Sequence, residues 1–222
     1  MTGTGALQTR PPRRPGRGLD RGTVTAPPPQ RQAPVREKPL PATGPHAPLF
    51  AVLGAHGGAG TSTLARWWAP AADTGLAWPA SPRTTQQVVL AARLCIPGLT
   101  AAADRLREWH AGLAPDGVSV LGLVLTAARP GATPAAVRRY AATVTDLVPQ
   151  VYRIGWHDEL VLRELDELAF YTPFDPAPPR RARLTDTVPA DVHRAGADLI
   201  SRLAAIRTEA PPPPRDHQEH QI

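Results

Sequence analysis

The sequence predicts an α/β fold of three layers, with a mainly parallel sheet covered by helices on both faces. Three observations carry that expectation. Residues 49–54 (LFAVLG), 87–94 (QVVLAARL) and 118–127 (VSVLGLVLTA) are nearly unbroken apolar runs. Strands covered on both faces have that pattern, whereas strands with one wet face alternate. Segments with helical spacing of apolar residues, at 98–113 and 133–148, alternate with these runs, which calls for right-handed crossovers and a parallel sheet. A glycine-rich turn directly follows the first run, at the strand end where such sheets bind ligands.

Taken in order, the first strand, 49–54, leads through the glycine turn to a helix over Ser62–Ala69, stopped at Pro70. TGLAWP, 74–79, reads as a short strand, and 87–94 as the second long one. The helix over 98–113 takes Thr100 as its N-cap and carries Ala103, Leu106 and Trp109 on one face. After the strand at 118–127, the helix over 133–148 takes Thr133 as N-cap and Pro134 at its first position. Its apolar face is Val137, Tyr140, Val144, Leu147 and Val148. QVYRIGW, 150–156, is the next strand, and DELVLRELDELAFY, 158–171, a short helix capped by Asp158. The last helix, 189–207, has the stripe Val188, Val192, Ala195, Leu199, Leu203 and Ile206.

The domain is expected over 48–208. Of the 28 prolines, ten lie in 1–47 and four form the run Pro211–Pro214. Residues 1–47 and 209–222 therefore read as disordered tails. Residues 1–47 hold eight basic residues against two acids, a net +6 that equals the formal charge of the whole chain. What remains, 17 basic and 17 acidic residues, is neutral. A basic, proline-rich arm over residues 10–38 would suit nucleic acid or an anionic membrane surface; a solvated arm without a specific partner is the plain alternative. The single cysteine, Cys95, forbids an intrachain disulfide and suits a cytoplasmic location. Its apolar context reads as a buried small hydrophobe. No apolar run approaches the ~18–20 residues of a membrane span, no secretory signal is present, and no internal repeat is found.

The glycine turn, GAHGGAGTSTLAR at 54–66, has the parts of a phosphate-binding loop. Gly57, Gly58 and Gly60 would let backbone N–H groups turn inward. The helix behind them adds its positive end, and Ser62 and Thr63 supply hydroxyls. It lacks the lysine that neutralises the outer phosphates. The chain's one lysine, Lys38, lies in the tail. Arg66, Arg83 and Arg93 are the candidate substitutes, although a planar guanidinium does not fit a lysine's slot.

HGGAGTSTLA resembles the deviant phosphate loop of the MinD/ParA class, Lys-Gly-Gly-x-Gly-Lys-Thr-Thr. The resemblance covers 49–207 and implies a truncated P-loop NTPase-like, Rossmann-like topology. It puts His56 at the signature lysine, Thr61 at the loop lysine and Ser62 at the magnesium-binding hydroxyl. VSVLGLVLTAARPG resembles the strand leading to that class's base-binding loop, with Thr126 at the asparagine position. VYRIGWHDEL resembles the next strand. Some pilus-assembly and septum-site relatives of MinD are degenerate at the same lysines.

The class also places two acidic strand ends after the loop helix, one for magnesium and one for the attacking water. Here Pro70–Gln86 contain one acid, Asp73, next but one to Gly75 and so read as a turn residue. The strand 87–94 ends in Arg93. Phosphoryl transfer would lose most of its acceleration. The expectation is a non-hydrolysing pseudo-ATPase that acts as a partner-binding scaffold and homodimer, needs no cofactor, and binds ATP or ADP with magnesium weakly or not at all. An atypical ATPase of partitioning or plasmid transfer, and a nucleic-acid-binding accessory protein acting through its tail, stay open. So does a purely structural glycine turn.

The candidate phosphate-binding residues are therefore Gly57, Gly58, Ala59, Gly60, Thr61, Ser62 and Thr63, with His56, Arg66, Arg93, Thr126 and Trp156 as accessories. No catalytic residue is assigned, and no metal site beyond Ser62 should a magnesium nucleotide bind. No Gly-x-Ser-x-Gly elbow supports a Ser62 triad. Of the neighbours Trp67 and Trp68, one is expected on the sheet and the other exposed at an interface. Trp78 is expected to plug the loop if residues 70–86 fold over it.

Overall fold

The computed structural model describes residues 24–41 and 46–209. In chain order the elements are β1 (Val35–Arg36), β2 (Phe50–Gly54), α1 (Thr61–Trp67), β3 (Ala71–Gly75), β4 (Trp78–Pro79) and β5 (Gln87–Arg93). They continue as α2 (Ile96–His110), β6 (Ser119–Thr126), α3 (Ala135–Thr145), β7 (Val151–Ile154) and α4 (Ala190–Glu209).

Five strands form one wholly parallel sheet in the order β3-β2-β5-β6-β7. Side-chain alternation sends Ala51, Leu53, Val88, Leu90, Leu123 and Leu125 to one face, where α2 and α3 cover them. Phe50, Val52, Val89, Ala91 and Val124 go to the other, under α1 and α4. Both faces are thus dry, which is why the strands read as continuous apolar runs. The chain steps from β2 out to β3, then returns past β2 to β5. That reversal opens a switch point between the carboxyl ends of β2 and β5, and the glycine loop stands there.

Residues 24–41 correct the expected boundary. The sequence reading left 1–47 outside the fold, yet β1 pairs with β4 and Leu40 is buried. Both carboxylate oxygens of Glu108 accept the Ala33 N–H at 3.1 Å, and one accepts Trp78 Nε1–H at 2.7 Å. Glu108 is itself buried and paired with Arg105 at 2.7 Å. One acid on α2 therefore holds a strap that composition alone assigned to a tail. The tail readings for 1–23, 42–45 and 210–222 lie outside the described residues.

The segment 158–171 is not an α-helix. It forms two short 3-10 turns, Asp158–Leu162 and Leu165–Glu167. The N–H groups of Ala169 and Tyr171 donate to Leu184 O and Trp67 O instead of to their own preceding turn. Tertiary partners have claimed the donors that helix would use. Asp158 does not cap; its carboxylate accepts Trp156 Nε1–H at 2.7 Å.

Trp67 and Trp68 are both buried, 2% and 0% exposed, so neither marks an interface. The helix ends at Trp67, and Trp68 takes extended backbone, which swings successive side chains to different parts of one core. Trp68 Nε1–H donates to Val192 O at 3.0 Å. Gly196 makes room for it, since a Cβ there would lie 2.9 Å from the indole. Trp78 sits on the α2 face against Glu108 and is no plug. Thr100 and Thr133 do not cap their helices: Cys95 and Pro134 hold the N-cap positions without side-chain bonds. Cys95 is half-buried rather than buried, and Ile206 is 42% exposed at the end of its stripe.

Candidate functional site at the sheet's carboxyl edge

The loop 55–60 joins β2 to α1. Gly58 and Gly60 adopt φ of 76° and 91°, a left-handed backbone that glycine enters without strain. The turn tightens through Ala59 N–H to His56 O at 3.3 Å.

Three consecutive carbonyls of this loop are capped by the chain's own side chains. The Arg93 N–H lies 3.1 Å from His56 Nε2, so that nitrogen is the acceptor and carries no proton. The other nitrogen, Nδ1, then donates to Gly57 O at 2.8 Å. Arg93 Nε donates to Gly58 O at 2.9 Å while its Nη1 reaches Ala127 O at 2.8 Å. The buried Thr126 hydroxyl lies between Ala59 O at 3.2 Å and Ala92 O at 3.3 Å. The ends of β5 and β6 are thereby laced to the loop across the switch point. His56, Arg93 and Thr126, three of the accessory residues read from the sequence, do meet the loop.

Ser62 Oγ donates to Asp73 Oδ2 at 2.6 Å, with Thr61 Oγ1 at 3.4 Å from the same oxygen. Asp73 Oδ1 accepts Gly75 N–H at 2.7 Å. The turn role of Asp73 is therefore present, and a pairing with the loop hydroxyls is added. That pairing follows from β3 lying beside β2, which spacing along the chain does not reveal. Arg66 points elsewhere: its Nη2 donates to Asp166 O at 2.7 Å and its guanidinium lies 5.5 Å from the Phe170 ring. Arg83 is exposed on the connection into β5.

Beside the loop lies a cavity of about 170 Å³ lined by Gly60, Leu64, Trp67, Arg93, Thr126 and Trp156, among others. A shallower groove of about 630 Å³ continues over the ends of β6 and β7, past Arg129, Arg153 and Asp191. Asp191, which the sequence reading passed over, braces this wall. Its Oδ2 accepts Gly155 N–H at 2.7 Å, and its Oδ1 lies 3.3 Å from His157 Nε2. Burial pushes the Asp191 carboxyl up, but the His157 ring 3.3 Å away and the hydrogen bonds from Gly155 N–H and Val192 N–H together hold it below its usual value. His157 meets Trp67 edge-on with ring centres 5.7 Å apart.

Among the described residues, no group of three or more His, Cys, Asp or Glu side chains could hold a metal ion. Among them, too, no helix is long and apolar enough to cross a membrane. Compared with models of known families, with curated proteins and with solved structures, the chain matches none.

Proposed function

We propose that the protein is a degenerate, MinD/ParA-like glycine-loop protein that does not hydrolyse nucleotide and serves as a partner-binding scaffold. One observation supports this reading above the rest. The carbonyls of Gly57, Gly58 and Ala59 are held by His56, Arg93 and Thr126. A phosphate cradle needs inward N–H groups and a cation aimed at the ligand. Here the local cation, Arg93, spends two of its donors on backbone oxygens. Those two bonds turn part of the Arg93 guanidinium away from a ligand and support the reading that no triphosphate is held.

The second reading, an atypical ATPase, draws on one contact. Ser62 and Asp73 lie 2.6 Å apart, a hydroxyl and a carboxylate of the types that hold a nucleotide's magnesium in P-loop proteins.

Thermal unfolding of the full chain with millimolar Mg·ATP or ADP separates the two. The scaffold reading expects no shift. A ligand at 100 times its Kd would stabilise by about 2.7 kcal/mol, and a shift of that kind sinks it. The Thr61→Lys substitution sharpens the test. A lysine at that position should still give no nucleotide-dependent shift, because His56, Arg93 and Thr126 hold the loop in its present shape. Binding restored by this change alone would show that only the charge was missing.

A further inference from the structure

We infer that the seam between α1 and residues 156–174 is a docking surface for the basic N-terminal segment, residues 10–21, of a second copy of this chain. The inference rests on the scaffold reading and names its partner.

The surface is apolar and held open at a cost. Trp156, Val161, Leu162, Leu165, Phe170 and Phe174 are 38%, 74%, 74%, 43%, 52% and 94% exposed. They come from nineteen consecutive residues, whereas exposed apolar side chains on a monomer are ordinarily scattered singly. Arg66 of α1 touches both Asp166 and Phe170, so the segment lies against that helix. Phe174 has φ of 75° in the turn Thr172–Asp175, whose Asp175 N–H donates to Thr172 O at 3.1 Å. With Pro173 before it, this is the position that glycine normally fills. A phenylalanine there bears backbone strain and gains no packing in the isolated chain. Trp156 and Val161 also border the cavity of about 170 Å³, close to the size that takes a benzene-sized group in an apolar cavity.

The surface is also acidic. Residues 156–175 hold Asp158, Glu159, Glu164, Asp166, Glu167 and Asp175 against Arg163, a net −5. Arg163 is engaged by Glu159 and Glu167. Among the described residues, the exposed Asp158, Glu164 and Asp166 have no ion pair. The segment 10–21, RPPRRPGRGLDR, is the complement: five arginines, one acid, and Leu19 as its one large apolar side chain between Arg17 and Arg21.

The strap's attachment on the opposite face favours a second copy as the source of the segment. Residues 31–40 are fixed on the α2 face, through Arg31 to Asp104 at 3.8 Å, Ala33 to Glu108 and buried Leu40. The seam lies on the α1 face, across the sheet. A second copy presents its own segment to that face without crossing a sheet. Two chains exchanging segments reciprocally would meet as a closed pair.

Sedimentation velocity of the full chain tests this at low salt and at about half-molar salt, where such charges are screened. A concentration-dependent dimer that weakens in salt is expected. Arg13→Glu with Arg17→Glu, and separately Val161→Ser with Leu162→Ser, should each lower the association constant at least tenfold with unchanged circular dichroism. Mixing Arg13→Glu/Arg17→Glu with Glu164→Arg/Asp166→Arg should restore association between the two variants. A monomer at every concentration, or a dimer indifferent to both sets, overturns the proposal. So does a monomer in which the arginine changes alter Trp156 fluorescence, which would mean docking within one chain. A dimer that forms only with Mg·ATP would sink the scaffold reading instead.

Discussion

The backbone N–H of Arg93 donates to Nε2 of His56 at 3.1 Å, joining the last residue of β5 to the loop that follows β2. Gly98 lies directly behind this contact. A Cβ there would stand 2.2 Å from Arg93 O and 3.0 Å from His56 Nε2. The nearer atom is backbone and cannot rotate away. Gly98→Ala should therefore destabilise by about 3 kcal/mol, as overpacked core positions do, even though alanine is the better helix former. Urea unfolding measures it, and a neutral or stabilising result would mean that the loop is not braced from below.

Glu108 gathers the strap to the domain. It is 1% exposed and holds Trp78 Nε1–H, Ala33 N–H and Arg105. Burial lowers the Arg105 pKa from its ordinary value, opposed by the charges of Glu108 and Asp104. Removing the acid would leave a buried guanidinium without its nearest counterion, which costs about 3–5 kcal/mol. Glu108→Ala should lose that much stability and should make residues 24–41 sensitive to proteolysis under native conditions. Retained protection of the strap would show that Leu40 and β1 hold it unaided.

Asp191 should give the fold an acid limb. Its carboxyl is held below the ordinary value in the folded chain, so its ionised form is favoured by folding. That contribution is fully present above the unfolded value of about 3.9 and is lost as pH falls through the lower folded one. Stability measured between pH 6 and pH 2 should decline less for Asp191→Asn than for the unaltered chain across that window. Parallel profiles would show that Gly155 and His157 do not stabilise the carboxylate.

Phe174 offers a test with the opposite sign. At φ of 75° and 94% exposure, it has backbone strain and little packing to lose. Phe174→Gly should leave stability unchanged or raise it by up to about 1 kcal/mol. A clear loss in the urea midpoint would reveal packing that the exposure does not suggest.

Much of the fold was legible because burial on both sides leaves a local mark. The runs at 50–54, 87–93 and 119–126 needed no partner to be recognised as strands, and α3 packs Val137, Tyr140 and Val144 of the face read for it, joined by the unread Ala141, while Leu147 and Val148 follow its end. The glycine loop was legible for the same reason, since its backbone demands are local. Its closure was not. His56, Arg93 and Thr126 stand on three separate segments, and only the strand order sets them around one turn. The 3-10 path of 158–167 was hidden too, because Leu184 and Trp67 compete for its neighbours' N–H groups from distant parts of the chain.

The sequence by itself determined an α/β chain with two dry sheet faces, a glycine turn after the first long strand and a single lysine, Lys38, remote from that turn in sequence. Apolar periodicity, glycine placement and residue counts are properties of the chain whatever its path. Only the tertiary structure decided that β2 lies between β3 and β5, that residues 24–41 belong to the domain, and that the loop's carbonyls are capped. Each of those depends on a pairing across tens of residues, whose energy comes from burial and hydrogen bonds that form only once the sheet has assembled.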